Sequence, residues 1–402
     1  MNQTGRRFLT VLVCLLMGAA IGTVVTYTAV TGGRGGSTMA EEIAMGNRKY
    51  TEIMNLVDEY FIGEDVDPEA VTDAMASGVI AGLGDRWSYY VSADDYQAYL
   101  ENINNAYVGA GITITAKTDE KDTLLGYEVN EVTAGGPADE AGVAPGDVLI
   151  RADGTDVTAI TLEETKGLVK GEEGTTVELT FLRGEDEITL TVQRRAMTVI
   201  PAEGQMLPGL VGYITIDNFD SGCAETVKAL VEQLRAQGAQ SLLFDVRNNP
   251  GGLKTELTDL LDYLLPEGTI FHTVNYAGQE EVITSDADCV DMPMAVLVNA
   301  NSYSAAEYFA CALQEYGVGV VVGEQTFGKG YYQVGLQLSD GSCVNLSIGK
   351  YFTPNGESLI DVGVTPDVEC PLTEDEATAL VRHQLETGDD PQIQAALGCL
   401  QP

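Results

Sequence analysis

Histidine is nearly absent. The 402 residues contain only His272 and His383, far apart and in no HExxH arrangement, which removes a histidine-based zinc site. None of the seven cysteines forms a CxxC pair, so a four-cysteine zinc ribbon and a thioredoxin-like redox site go as well, and no metal or cofactor is expected. Basic residues are also scarce, with 21 Lys and Arg against 61 Asp and Glu, a net charge of −40. A chain without surplus cations cannot build the basic stripe that neutralises phosphates, so nucleic acid and anionic bilayer surfaces are excluded as partners. Apolar residues are plentiful: 45% hydrophobic against 20% charged lets a chain of this length bury two or three cores. There is no internal repeat and no low-complexity stretch.

One long apolar run exists. Phe8 to Val30 is 23 residues without a charge, preceded by Arg6 and Arg7, enough helix to cross a hydrocarbon core of roughly 30 Å. It exceeds the apolar region of a cleaved signal peptide, and the only cleavage candidate, ThrMetAla ending at Ala40, is poor. The Arg6–Arg7 pair has the wrong spacing for a twin-arginine signal. An uncleaved single-pass anchor is expected, with the N-terminus cytoplasmic and residues 34–402 outside. The exported part holds 19 basic and 61 acidic residues, a net charge of −42, so the anchor and not electrostatics ties it to the membrane. Its six cysteines allow fifteen pairings, and spacing selects none; most read as free, buried small hydrophobes.

After a Gly-rich joint, GGRGGS at 32–37, apolar residues at three- and four-residue spacing predict helices over about Glu41–Tyr60 and Asp67–Leu83, a small helical cap. From Tyr107 to about Val192 the pattern changes to short alternating strands with one helix at Thr161–Val169, a compact, mainly β module. Beyond Pro201, apolar runs alternate with amphipathic helices, which predicts an α/β layer with sites at the carboxyl ends of its strands. RNNPGG (247–252) and NANSYS (299–304) sit at two such ends.

Ser304 is placed where strand AVLVN turns into helix AAEYFACAL, so the positive helix end and its unsatisfied N–H groups face any oxyanion bound there. The plainer reading is an N-cap serine. A serine nucleophile needs a base, and both histidines lie in unpromising surroundings: His272 in an apparent strand, His383 in a charged C-terminal helix. A desolvated lysine can serve instead, because burial lowers its pKa. Of nine lysines, Lys329 stands out, between Gly328 and Gly330 and close to Phe327, Tyr331 and Tyr332. If YYQVGLQL is a strand, Lys329, Tyr331 and Gln333 share one face, and the neutral amide can orient the amine. Taken alone, Lys329 reads as an exposed hairpin lysine. RNNPGG can offer a bare N–H to an oxyanion or can be a mere turn. In the β module, YVGAGITI puts glycines ahead of a strand, a loop able to hold a peptide carboxylate while the peptide adds as an extra strand.

Together these segments resemble the carboxyl-terminal processing peptidases, tail-specific Ser/Lys proteases with an inserted PDZ domain. The resemblance rests on GLGDRWSYY, YVGAGI, PADEAGVAPGDVLIRADG, FDVRNNPGGL, VLVNANSYSAAEYFACALQ, GEQTFGKGYYQ, YFTPNGESL, GVTPDV and DDPQIQAAL, in that order. It implies an α/β protease core of crotonase-like ββα units, a helical N-terminal cap and a mainly β PDZ insert. The implied divisions are anchor 1–33, linker and cap 34–105, PDZ domain 106–196, peptidase core 197–370 and C-terminal helical segment 371–402. It further implies that Ser304 is the nucleophile, Lys329 the general base and Gln333 the residue orienting it. The oxyanion hole falls on Gly251 or Gly252 and on Ala305, and the carboxylate-binding groove on Tyr107, Val108, Gly109, Ala110, Gly111, Ile112 and Ile114.

Two departures stand out against relatives of that family: Tyr303 replaces a small residue before the nucleophile, and DRWS (85–88) stands for DPHS or DPYS, a change expected to touch the cap more than the chemistry. The implied protein is a bacterial, membrane-anchored, extracytoplasmic endopeptidase taking the C-terminal tails of exported or unfolded proteins; a homo-oligomer is admitted and not required. A catalytically silent PDZ scaffold and a His-dependent hydrolase are the competing expectations.

Overall fold

The computed structural model describes residues 39–400 apart from 64, 65, 120, 122 and 383. The predicted anchor at 8–30 and His383 therefore lie outside the described residues. Among these, no helix is long and apolar enough to cross a membrane. The chain divides into two compact units, the first ending at Val71 and the second starting at Thr72. Helix α1 (Met39–Tyr60) belongs to the first, and the division falls within helix α2 (Pro68–Ala81). No described side chain of either helix is buried, so the expected cap leaves its apolar stripes open, with Ile53, Leu56 and Val79 all exposed.

In the second unit, strand β1 (Tyr89–Val91) and helix α3 (Ala93–Ile103) lead into the β-rich insert. Its ends are β2 (Ala106–Gly109) and, much later, β9 (Arg195–Thr198), which pair antiparallel and close it as a stalk. Between them come β3 (Ile112–Thr118), β4 (Leu124–Val132), α4 (Pro137–Ala141), β5 (Val148–Ala152), β6 (Thr155–Asp156), α5 (Leu162–Val169), β7 (Thr176–Arg183) and β8 (Asp186–Gln193). The sheet runs β3-β4-β5-β7-β8, with β6 on β5, so β3 is an edge strand. Tyr127, Val129, Leu149, Leu179 and Phe181 form its core. A capping box between Thr161 and Glu164 starts α5 where the sequence expected a helix.

The core sheet has the order β10-β11-β12-β15-β16-β19, built from β10 (Ala202–Leu207), β11 (Val211–Ile216), β12 (Ser241–Asp245), β15 (Met294–Val298), β16 (Gly319–Gly323) and β19 (Val368–Glu369). All neighbours after the antiparallel β10–β11 pair are parallel. Every residue of β12 and β15 is buried, as expected of central strands covered on both faces. Helices α6 (Cys223–Ala236), α7 (Lys254–Leu264) and α8 (Ala305–Glu315) carry the crossovers. Small residues let α8 sink into the core, with nine of its residues buried.

A second sheet, from β13 (Gly268–Asn275), β14 (Glu280–Ser285), β17 (Tyr331–Gln337) and β18 (Cys343–Phe352) together with β1, stands beside this layer. The C-terminal helices are α9 (Glu374–Val381) and α10 (Pro391–Cys399). Cys223, Cys289, Cys311, Cys343, Cys370 and Cys399 are all free, and Cys223, Cys311 and Cys343 are buried.

Candidate active site

Adjacent parallel strands β12 and β15 end in the loops 246–253 and 299–304, and side chains stitch the two together. Asn248 N–H donates to Asn299 Oδ1, and Asn299 and Asn301 each donate an amide hydrogen to Asn248 Oδ1, all at 3.0 Å. Ser302 Oγ donates to Val246 O at 2.7 Å. Gly251, at φ +92°, lies so close to the second loop that a Cβ there would sit 2.7 Å from Ser304 Cβ. Only glycine fits that approach.

Ser304 opens α8 without capping it. Its side chain accepts no helix N–H, and its backbone sits at φ +60°, ψ −123°, a region that a non-glycine residue occupies only when its surroundings force it there. The N-cap reading is thereby set aside. The buried Tyr351 phenol lines the same cavity as Ser304, and its O–H donates to Lys329 O at 2.5 Å.

Ser304 and Lys329 line one cavity of about 520 Å³ with Gly252, Ala305, Gln333 and a largely aromatic wall. The Lys329 ammonium nitrogen lies 4.4 Å from the centre of the Trp87 ring. Burial pushes its pKa down to about 8, with Asp85 and Glu307 pulling the other way. No direct hydrogen bond joins Ser304 Oγ to Lys329 Nζ; catalytic contacts of this kind are commonly made only when substrate is present.

The N–H groups at the mouth divide clearly. That of Gly251 donates to Asn249 Oδ1 at 2.8 Å, and Gly251 does not line the cavity. The N–H groups of Gly252 and Ala305 have no acceptor among the described residues, and both residues line it. Of the two glycines left open by sequence, Gly252 is the one available.

Glu307 is the main residue that sequence reasoning missed. It is fully buried in the first turn of α8 and accepts from Thr326 Oγ1, Gly328 N at 2.7 Å and Lys329 N at 3.0 Å. Burial raises its pKa against those hydrogen bonds. One carboxyl group thus ties the serine's helix to the lysine's loop. The capping-box spacing Ser304-Ala-Ala-Glu307 was the available signal.

Two expectations need correction. Tyr331 does not share the cavity with Lys329 and Gln333 but lines a different one: β17 starts at Tyr331 as expected, with Lys329 ahead of it, and an irregularity in its pairing with β18 between Tyr332 and Gln333 breaks the alternation that the shared face assumed. Gln333 Nε2 donates to Ser347 Oγ at 2.9 Å and Tyr331 O at 3.3 Å, not to Lys329. The DRWS segment, assigned to the cap, is at the site itself. Trp87 packs 6.0 Å from Tyr303 and 5.5 Å from Phe327, ring centre to ring centre. Ser88 Oγ donates to Asp85 at 2.5 Å and accepts from the Ser347 N–H at 2.9 Å, which links this segment to the residue that Gln333 touches.

Trp87→Ala is expected to admit water to Lys329 and raise its pKa. A rise of about one unit cuts the neutral amine, and hence kcat/KM at pH 7, about tenfold, with Trp87→Phe intermediate. The pH dependence of kcat/KM reads this; an unshifted profile in Trp87→Ala would remove Trp87 from the desolvating wall.

His272 lines none of these cavities. Its Nε2 is buried without a hydrogen bond, and Glu280 is 3.7 Å away.

The carboxylate loop also forms a cavity, of about 630 Å³, between β3 and α5. Tyr107, Gly109, Ala110, Gly111, Ile112 and Ile114 line it; Val108 does not. The carbonyls of Ala110 and Gly111 accept from Ala138 and Thr133, while their N–H groups have no acceptor among the described residues.

Comparison with known proteins gives the family. Residues 210–370 match peptidase family S41 and residues 128–183 match a PDZ domain. The carboxyl-terminal-processing protease of Synechocystis sp. is 31% identical over 415 residues, covering all of this chain and 95% of the relative. The chain belongs to the carboxyl-terminal processing proteases of family S41. Another relative of this S41 peptidase is the carboxy-terminal processing protease CtpA of Bacillus subtilis, 29% identical over 92% of this chain and 78% of that protein. A putative S41 protease from Bacteroides fragilis shares the fold at a TM-score of 0.54 and 18% identity, over 84% of this chain and 92% of the other. The S41 peptidase is thus a serine-type peptidase with a PDZ domain inserted ahead of its α/β core.

Proposed function

We infer that this S41 peptidase is an anchored, extracytoplasmic endopeptidase that holds the C-terminal tail of its substrate in the PDZ groove and cuts by Ser/Lys acyl-enzyme chemistry. The observation that carries it is a strained, non-capping serine sharing a cavity with a lysine whose amine is largely desolvated.

In the first step Ser304 Oγ attacks the scissile carbonyl carbon and neutral Lys329 Nζ takes its proton. The carbonyl oxygen becomes an oxyanion held by the N–H groups of Gly252 and Ala305. Collapse breaks the C–N bond, and the Lys329 ammonium returns the proton to the leaving amine. Water then attacks the acyl carbon while Lys329 takes its proton; collapse breaks the ester C–O bond to Ser304 Oγ, the Lys329 ammonium returns the proton to that oxygen, and the new C-terminal acid leaves. Gln333, which lines the same cavity, orients the Lys329 amine. The carboxylate of the tail is received by the N–H groups of Ala110 and Gly111, and its backbone extends the open edge of β3. The apolar run at 8–30 supports the anchored location.

The test uses the full chain and an unfolded reporter with an apolar C-terminus, as free acid and as amide. Free-acid reporter should be cut, Ser304→Ala should cut neither form, and amidation should raise KM roughly ten- to a hundredfold, since a charge-assisted pair of hydrogen bonds is lost. Equal cleavage of acid and amide would refute tail capture, and binding without cleavage would favour the silent scaffold.

A further inference from the structure

The tail groove and the catalytic cavity meet at Asp220 and Pro250, which line both. A third cavity, of about 710 Å³, shares Arg86 and Trp87 with the catalytic cavity and no residue with the tail groove. We propose that this third cavity binds the substrate segment N-terminal to the scissile bond and selects an aromatic side chain within it. The proposal rests on the tail-capture reading above, because that reading sets the direction of the chain. A polypeptide has one polarity: with its C-terminal carboxylate in the tail groove, the residues after the cut pass Asp220 and Pro250. The residues before the cut must then leave Ser304 by another way, and the opening beside Arg86 and Trp87 continues into the third cavity.

The lining indicates what it takes. Tyr276, in the turn between β13 and β14, is 85% exposed. Only its backbone N–H is used, donating to Ile348 O at 2.8 Å. With Tyr331 and Phe352 it lines an open aromatic surface. Lys350 lies 5.6 Å from the Tyr331 ring centre, and Arg86 lies 4.8 Å from that of Trp87. Asp85 and Asp361 line the same cavity, so its net charge is close to balanced and ring contact is left as the discriminating interaction. The cavity is separate from the cutting machinery: Tyr276 lines neither the catalytic cavity nor the tail groove.

Peptides with one apolar tail and one scissile site, each carrying a single Phe walked through the upstream positions on a Gly/Ser background, test this on the full chain. Phe at one position should lower KM about three- to tenfold, the range of an aromatic pair. Tyr276→Ala should cancel that gain without changing cleavage of the Phe-free peptide, and Tyr276→Phe should retain it. If the Phe-free peptide is cut and no position matters, or if Tyr276→Ala slows every peptide alike, the proposal is overturned and tail capture stands. If the amidated Phe-free peptide is cut as well as the free acid, tail capture fails and the proposal falls with it.

Discussion

Replacing Lys329 by methionine is expected to abolish cleavage and, at the same time, to stabilise the fold. Without the base, kcat/KM should fall by about four to six orders of magnitude, as when a member of a catalytic unit is removed. Lys329→Arg should not rescue it, because a guanidinium stays charged at any workable pH. Stability moves the other way because burial lowers the pKa of Lys329 to about 8, against about 10.4 in an unfolded chain. Between those values the unfolded state binds more protons than the folded one, so this group makes stability rise with pH from about 8 to 10.4, and its full penalty applies below 8. Methionine removes that penalty. In the parent chain the same titration should make kcat/KM climb about tenfold per unit up to roughly pH 8 and then level off. Thermal melts at pH 7 and pH 10, with a pH–rate profile, check all three; a less stable Lys329→Met, or a profile flat from pH 6 to 9, would contradict a desolvated amine.

Arg247→Met is expected to have the largest cost in stability. Its guanidinium is almost wholly buried and donates to Asp245 at 2.5 to 3.1 Å, to Asp390 at 2.8 Å and to Gln392 Oε1 at 2.8 Å. Tyr213 adds a hydrogen bond to Asp245 at 2.7 Å. Methionine would leave two buried carboxylates without their cation, a loss of about 3 to 5 kcal/mol. Because Arg247 begins the loop that carries Gly252, activity should fall with it. Denaturant midpoints and kcat measured on the same preparations separate the two effects. Asp390→Asn, which keeps the shape and leaves one carboxylate on the cation, should lose less than half as much; an Arg247→Met variant as stable as the parent would mean the cluster is energetically neutral.

Much of the core was legible because local pattern and tertiary role coincide. Strands such as SLLFD and MAVLV are apolar throughout since both faces are covered, and the loops at their ends had to be turns of Gly, Asn and Ser. The site around Lys329 was only half legible. GKG with nearby aromatics suggested a desolvated amine, but the ring nearest its nitrogen is Trp87, 242 residues earlier in the chain. No periodicity connects residues that far apart, and the DRWS segment was therefore assigned to the cap. Gln333 was half legible for a related reason: strand alternation identifies a face but not the hydrogen-bond partner, which here is Ser347 of the neighbouring strand.

The order of the motifs, the shortage of histidine, the excess of acid and the serine at a strand-to-helix turn were determined by the sequence alone, because each is a property of neighbouring residues. Tertiary structure decided which amide remains free, which ring covers the amine and what holds the loops in place. Gly251 spends its N–H on Asn249 while Gly252 keeps its own, Glu307 joins the serine's helix to the lysine's loop through one carboxyl group, and Asp390 of the C-terminal segment neutralises Arg247 beside the site. Burial and hydrogen-bond satisfaction depend on what lies next to a group in space, and only the folded chain brings those partners together.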